Sequence, residues 1–253
     1  MTYFIDIVDK RNQILKNLLT KNGYRVFEYN DQNLKTIEKR DVLVFAPNKK
    51  MQLEEALNLP NDIDVIMGNI GEEIKGCFEE KNINHINLLE DEIFAIKNAE
   101  LTAEGILAII LKESERSMFE SKILILGSGR VGKATAILFK KLGLTFSLVS
   151  YRNEVFAENY LFSDKNYFKE TFKDEIKNFD IIINTIPAKV LGKEIVDSIS
   201  KDTIFIEIAS INTLNLDDVQ NFYYILSPAL PQKFSCESAG MLMYESIIGQ
   251  NKF

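Results

Sequence analysis

A chain of 253 residues with 46% hydrophobic content can bury one large core or two modest ones, and needs neither disorder nor disulfide stapling to explain it. Thirty basic against 37 acidic side chains give a net charge of −7, which works against non-specific attraction to nucleic acid or anionic membranes. Cys77 and Cys236 fit no metal-ligand spacing, no apolar run reaches the ~18 residues of a membrane span, and the start lacks a signal-peptide pattern. Two domains, free thiols, no metal, no nucleic-acid or membrane partner and a cytoplasmic location are therefore expected.

In chain order, the apolar run from Tyr3 to Val8 predicts a strand, and Ile14, Leu15, Leu18 and Leu19 follow at helical spacing until Gly23. Further strands are predicted from Arg25 to Tyr29, Asp41 to Ala46, Asp64 to Gly68 and His85 to Leu88, with helical patterns from Met51 to Leu57 and Glu72 to Glu80. Such alternation implies a parallel sheet, because parallel strands need long and usually helical crossovers. From Asp91 to about Met118 the pattern stays helical, and Gly105 interrupts it without ending it. That length predicts a spine joining two α/β units; the competing reading is two shorter helices with a bend.

The second unit opens with a strand from Lys122 to Leu126. Strands from Thr145 to Ser150, Asp180 to Thr185, Thr203 to Ile208 and Tyr223 to Leu226 follow, then a closing helix from about Glu237 to Gly249. The strand at 122–126 runs straight into Gly127-Ser128-Gly129-Arg130-Val131-Gly132 and an amphipathic helix. In that context Gly127 permits a tight turn, Gly129 lets the backbone approach a pyrophosphate, and Gly132 lets helix and strand pack closely. The helix N-terminus favours phosphate charge. The expected fold is α/β with two doubly wound parallel-sheet domains, the second a Rossmann dinucleotide-binding domain. Boundaries are set at 1–92 for a flavodoxin- or Rossmann-like N-terminal domain, 93–119 for the connecting helix, 120–235 for the dinucleotide domain, and 236–253 for a helix returning to the first domain.

About 20 residues beyond such a loop, an acid suits the ribose 2′-hydroxyl of NAD, whereas an arginine suits the 2′-phosphate of NADP. This chain has Ser150-Tyr151-Arg152-Asn153, so NADP is favoured over NAD. Tyr151 and Asn153 join Arg152 as cofactor candidates, the alternative being that Arg152 is a solvated loop charge and Glu154 meets the ribose. Loops at the carboxyl ends of later strands should line the same crevice. They add Thr185, Ile186 and Pro187, then Ala209 and Ser210, and finally the stretch from Ser227 to Pro231.

With these segments in hand, the sequence resembles the family of dipicolinate synthase A subunits over most of the chain. The resemblance rests on Asn98-Ala-Glu-Leu-Thr102-Ala-Glu104-Gly105, the glycine loop with Arg130, Ile183-Asn-Thr-Ile-Pro187, the Pro228-to-Pro231 stretch with Ser238-Ala-Gly240, and Asp9-Lys-Arg11 near the start. It implies NADP-dependent oxidation of a dihydrodipicolinate-type ring to dipicolinate, a homo-oligomer, partnership with a flavoprotein-like B subunit, and the mother cell of a sporulating bacterium. The chain departs from the family pattern at Ile211-Asn-Thr-Leu214, where a proline and a glycine pair are usual, and at Gln232, where a glycine is usual.

A planar dicarboxylate wants positive or hydrogen-bonding groups at both ends. The catalytic candidates are Asn98, Thr102, Glu104 and Ser238, and the substrate-binding candidates are Arg11, Lys189, Pro228, Leu230 and Pro231, with Arg130 and Lys233 also in reach. Structural alternatives stand beside them: Thr102 as the cap of a second helix and Ser238 in the first turn of the last one. His85, the only histidine, reads as a surface or interface residue, and the aromatic residues from Tyr151 to Phe179 read as core. Two other functions remain open: dehydrogenation of another small hydroxy or shikimate-like acid, and a non-catalytic NADP-binding assembly subunit.

Overall fold

The computed structural model describes residues 1–163, 165–209, 213–215 and 218–250. The chain begins β1 (Tyr3–Ile5), α1 (Lys10–Lys21), β2 (Val26–Glu28), α2 (Asp31–Leu34), β3 (Val42–Val44), α3 (Leu53–Asn58), β4 (Asp64–Met67), α4 (Glu72–Glu80) and β5 (Asn84–Asn87). These strands form one parallel sheet in the order β2-β1-β3-β4-β5. The β1 strand stops short of its apolar run, the Val8 amide turning back to the Asp6 carbonyl at 3.0 Å, and the chain then enters α1 at Asp9. Its carboxylate accepts from the amides of Arg11 and Asn12 and caps α1. Gly23, at φ +83, provides the left-handed turn after that helix.

Next come α5 (Glu92–Glu113), β6 (Ile123–Leu126), α6 (Arg130–Lys141), β7 (Phe146–Ser150), α7 (Asn153–Phe156) and β8 (Lys165–Phe168). They are followed by β9 (Ile181–Asn184), α8 (Lys193–Asp197), β10 (Ile204–Glu207), β11 (Tyr223–Leu226), α9 (Leu230–Phe234) and α10 (Cys236–Gln250). The second sheet is also parallel, in the order β11-β10-β9-β6-β7-β8, so the expected α/β fold with two doubly wound sheets is what the chain adopts.

Two differences from the sequence reading, and the choice between its two readings of the long helix, have local causes. The long helix runs without a break from Asp91, whose carboxylate accepts from the Ile93 and Phe94 amides, which removes the two-helix alternative and with it a capping role for Thr102. It stops at Glu113 because Ser114 turns back on the chain, its hydroxyl donating to the Arg116 carbonyl at 2.9 Å and accepting from the Arg116 amide at 3.2 Å. An unpredicted strand, β8, lies inside the aromatic segment. It is an edge strand of only four residues that buries little more than Tyr167, so it carries no apolar run to announce it.

The contacts divide the chain into two compact units, 1–98 with 235–253, and 99–234. The division falls inside α5. In the first unit Phe4, Leu43 and Val65 pack with Ala56, Ile74 and Phe78 from α3 and α4 on one face of the sheet, while α10 packs against α1. In the second unit the strands alternate cleanly. Ile123, Ile125, Ile181, Ile183 and Ile206 meet Ile106 and Ile110 of α5 and Phe139 of α6. Leu124, Leu126, Ile182 and Phe205 face the opposite layer with Phe172, Ile176 and Ile195. Burial on both faces makes these strands nearly continuous apolar runs. No helix among the described residues is long and apolar enough to cross a membrane.

Candidate functional site

The second sheet grows from β6 through β7 to β8, and the chain then crosses to the other side of β6 to begin β9. This order reversal falls at the carboxyl ends of β6 and β9, the place where open α/β sheets bind ligands. The buried strand β6 ends there in Gly127, whose φ of +102 lies in the region that L side chains avoid. A Cβ on Gly127 would sit 2.6 Å from Thr185 Oγ1 and 2.7 Å from Ile186 Cγ1, and one on Gly132 would sit 1.9 Å from the Gly127 carbonyl oxygen. Both glycines are thus demanded by folding: the first by the turn, the second by the approach of α6 to the loop.

Gly129 is different. Its φ is −77, it is exposed, and a Cβ there would meet nothing within 4 Å. Folding places no demand for glycine at this position, which leaves open space beside the start of α6. The first amides of a helix have no intrahelical acceptor, and the first turn of α6 carries no acid to satisfy them. The loop therefore offers backbone donors and a free approach, which suits a phosphate.

On the β7 side, the Ser128 hydroxyl donates to Ser150 Oγ at 2.9 Å, and Ser150 donates to the Arg152 carbonyl at 3.0 Å. Both serines are buried, so the glycine loop and the residues after β7 are held to one another. The Arg152 side chain is exposed and has no ion-pair or hydrogen-bond partner among the described residues. Asn153 is exposed at the start of α7. Tyr151 is half-buried, and burial pushes its phenol up to about 12, with the charge of Glu170 adding to the effect, so it stays neutral at physiological pH.

On the β9 side, the Thr185 hydroxyl donates to the Leu126 carbonyl at 2.9 Å, holding the residues after β9 against the end of β6. Ile186 is half-buried beside Gly127, and Pro187 is exposed. Behind them lies a group that the sequence reading missed. Glu207, fully buried at the end of β10, accepts from Asn184 Nδ2 at 3.0 and 3.2 Å, from the Ala209 amide at 3.1 Å, and from the Thr213 hydroxyl. Burial pushes its carboxyl above the usual range, opposed by these hydrogen bonds. A lone acid within the apolar run from Ile204 to Ile208 was the signal available. Ala209 is itself buried, and Ser210 lies outside the described residues, as do Ile211 and Asn212.

The remaining candidates occupy varied settings. Within unit 99–234, Thr102 is buried on α5 and Glu104 is exposed. The neighbouring Gly105 has a packing task, since a Cβ there would lie 2.7 Å from Leu230 Cβ. Leu230 and Pro231 are buried at the start of α9, Pro228 is half-buried, and Ala229 takes a positive φ of +56 between them. Lys189 Nζ lies 3.4 Å from Asn215 Oδ1, and Lys233 Nζ donates to Ser227 Oγ at 3.1 Å. Arg130 is exposed.

Within the other unit, Asn98 is half-buried and Ser238 is exposed in the first turn of α10. Gly240 lets α10 approach α1, because its Cβ would fall 2.8 Å from Ile14 Cβ. Arg11 is buried and engages the Asp9 carboxylate and Asn48 Oδ1 at 2.6 and 2.8 Å. His85 Nε2 contacts the Gly68 carbonyl at 3.0 Å, and burial lowers its pKa.

No protein-family model matches the chain. Among curated proteins, the A subunit of dipicolinate synthase from Bacillus subtilis (strain 168) is 25% identical over 161 residues, which are 62% of this chain and 54% of that protein. The aligned stretch thus spans about half the length of the relative. The crystal structure of the dipicolinate synthase A subunit from Bacillus halodurans superposes with a TM-score of 0.85 at 18% identity, covering 98% of this chain and 97% of that one. The chain has the fold of the dipicolinate synthase A subunit. The resemblance carried by the sequence motifs is borne out in fold and in sequence alike. A wider likeness extends to dehydrogenases. NAD-dependent formate dehydrogenase from Staphylococcus aureus, solved in complex with NAD, matches with a TM-score of 0.63 at 13% identity, covering 100% of this chain and 95% of that one.

Proposed function

We propose that the chain is a nicotinamide-dinucleotide oxidoreductase subunit that uses NADP to oxidise a dihydrodipicolinate-type ring to dipicolinate, together with a flavoprotein-like B subunit. The observation that carries the coenzyme part is the glycine loop, in which Gly127 and Gly132 are locked by packing while Gly129 alone faces open space. The substrate part is supported by the sequence similarity to the A subunit of dipicolinate synthase from B. subtilis.

In this reading the amides at the start of α6 bind the pyrophosphate, and the exposed Arg152 guanidinium meets the 2′-phosphate. Thr185, Ile186 and Pro187 border the nicotinamide ribose, with Ala209 behind them. The nicotinamide supplies a hydride acceptor, and formation of an aromatic ring makes the loss of hydride favourable. The protein's task is then to orient the dicarboxylate, exclude water and remove a proton. Asn98, Thr102, Glu104 and Ser238 are the first side chains to replace singly, each scored for turnover against retained coenzyme binding.

The test combines the chain, its B partner, NADP and the product of dihydrodipicolinate synthase, and follows the ultraviolet absorbance of dipicolinate together with NADPH formation. Equal growth of both signals supports the proposal. Coenzyme binding without turnover gives the chain an assembly role only, and absence of coenzyme binding removes the redox role.

A further inference from the structure

Glu207 is the most buried acid among the described residues of the second unit and has no place in the coenzyme contacts above. Three groups donate to it: the Asn184 amide, the Thr213 hydroxyl and the Ala209 backbone N–H. Thr213 gives its single proton to Glu207 and accepts from Asn184 Nδ2 at 2.9 Å, so the hydrogen count is satisfied by a carboxylate, which brings no proton of its own. A buried charge of this kind persists only where fixed dipoles converge on it. The other end of Asn184 reaches the crevice, because its Oδ1 accepts from the Ile186 amide at 3.1 Å. Ile186 is in turn the side chain that closes over Gly127.

A continuous path therefore leads from Glu207 through Asn184 to Ile186 and the first glycine of the loop. Thr213 and Ala209 are anchored to the same carboxylate. Resting on the coenzyme reading above, we infer that Glu207 is a positioning residue: its carboxylate fixes Asn184 at the end of β9 together with Ala209 and Thr213, and so shapes the nicotinamide side of the crevice. The adenine side, built from Ser128, Ser150 and Arg152 at β7, is held by separate hydrogen bonds.

The test compares binding of NADP and of 2′,5′-ADP, which lacks the nicotinamide half, to the full chain and to Glu207→Gln. The amide would present N–H groups to a ring of donors. NADP affinity should fall about tenfold, the loss of one charge-assisted hydrogen bond, while 2′,5′-ADP affinity stays unchanged. Thr213→Val removes one donor and leaves the carboxylate, so it should give a smaller loss with the same selectivity; it decides the matter if Glu207→Gln does not fold. Equal losses for both ligands, or no loss for either, would overturn the inference while leaving the coenzyme reading intact. If the unaltered chain binds neither ligand, the coenzyme reading itself has failed.

Discussion

The glycine loop makes its sharpest prediction through a pair of alanine substitutions only three positions apart. Gly132→Ala places a methyl 1.9 Å from the Gly127 carbonyl oxygen, a backbone atom that cannot rotate away, so α6 must withdraw from β6. Overpacking of this kind costs about 1–3 kcal/mol. For a protein of this size each kcal/mol lowers Tm by about 2–4 °C, so the variant should melt about 2–12 °C below the parent. Gly129→Ala has the opposite profile. Its φ of −77 suits alanine and its methyl meets nothing within 4 Å, so Tm should hold or rise slightly as the unfolded chain loses freedom. Yet that methyl occupies the space assigned to the pyrophosphate, and coenzyme affinity should fall at least about tenfold, or ~1.4 kcal/mol. Differential scanning fluorimetry and isothermal titration with NADP separate the two effects. Unchanged coenzyme binding by Gly129→Ala would refute the placement of the phosphate, and an unchanged melting temperature for Gly132→Ala would refute the close packing of α6.

Arg152→Ala, which removes an exposed guanidinium with no partner among the described residues, should weaken NADP binding roughly tenfold to a hundredfold and leave NAD nearly unaffected; equal losses in a titration with both would remove the 2′-phosphate assignment. At the start of α5, burial works to raise the Asp91 pKa, but the Ser246 hydroxyl and the amides of Phe94 and Ile93 outweigh it and leave the group below 3.8. A depressed folded-state pKa adds stability above the unfolded value and loses it as pH falls through the folded one. The melting-temperature gap between the parent and Asp91→Asn, which keeps a capping side chain, should therefore be constant above about pH 5 and narrow below it; a gap that widens in acid would contradict the hydrogen bonding. Gly240→Ala pushes a methyl to within 2.8 Å of Ile14 Cβ and 2.9 Å of the Arg11 carbonyl oxygen, and should cost about 1–3 kcal/mol in chemical denaturation.

How far the fold was legible follows from where each strand lies in its sheet. Central strands such as Ile123-Leu-Ile-Leu126 and Ile181-Ile-Ile183 are covered on both faces, so they are written as apolar runs that no surface segment imitates. The edge strand Lys165-Asn-Tyr-Phe168 is fully buried on neither face, and its exposed lysine and half-buried asparagine make it look like a loop. The end of α5 was misplaced for another reason. Periodicity continued to Met118, which is buried in the core of the second unit, but Ser114 offered the backbone a local partner and ended the helix first.

The site was legible as a loop but not as a set of separate tasks. Three glycines at the spacing seen in Gly127, Gly129 and Gly132 look alike in a sequence, and only the distances to Ile186 and to the Gly127 carbonyl distinguish two that the fold requires from one it leaves free. The same holds in reverse for two motifs whose residue types suggest chemistry. Gly105 and Gly240 lie among polar residues that point to catalysis, yet each glycine is fixed by contact with a hydrophobic side chain, Leu230 and Ile14. Glu207 carries the argument one step further. An acid in an apolar strand is visible to any reader of the chain, but its partners Asn184 and Thr213 come from other segments, and only their convergence turns an anomalous charge into a brace. A residue is credibly free for a ligand when folding makes no demand on it. By that criterion Gly129 and Arg152 are the strongest claims this chain makes to a bound dinucleotide, and Glu207 supports the surroundings rather than the ligand.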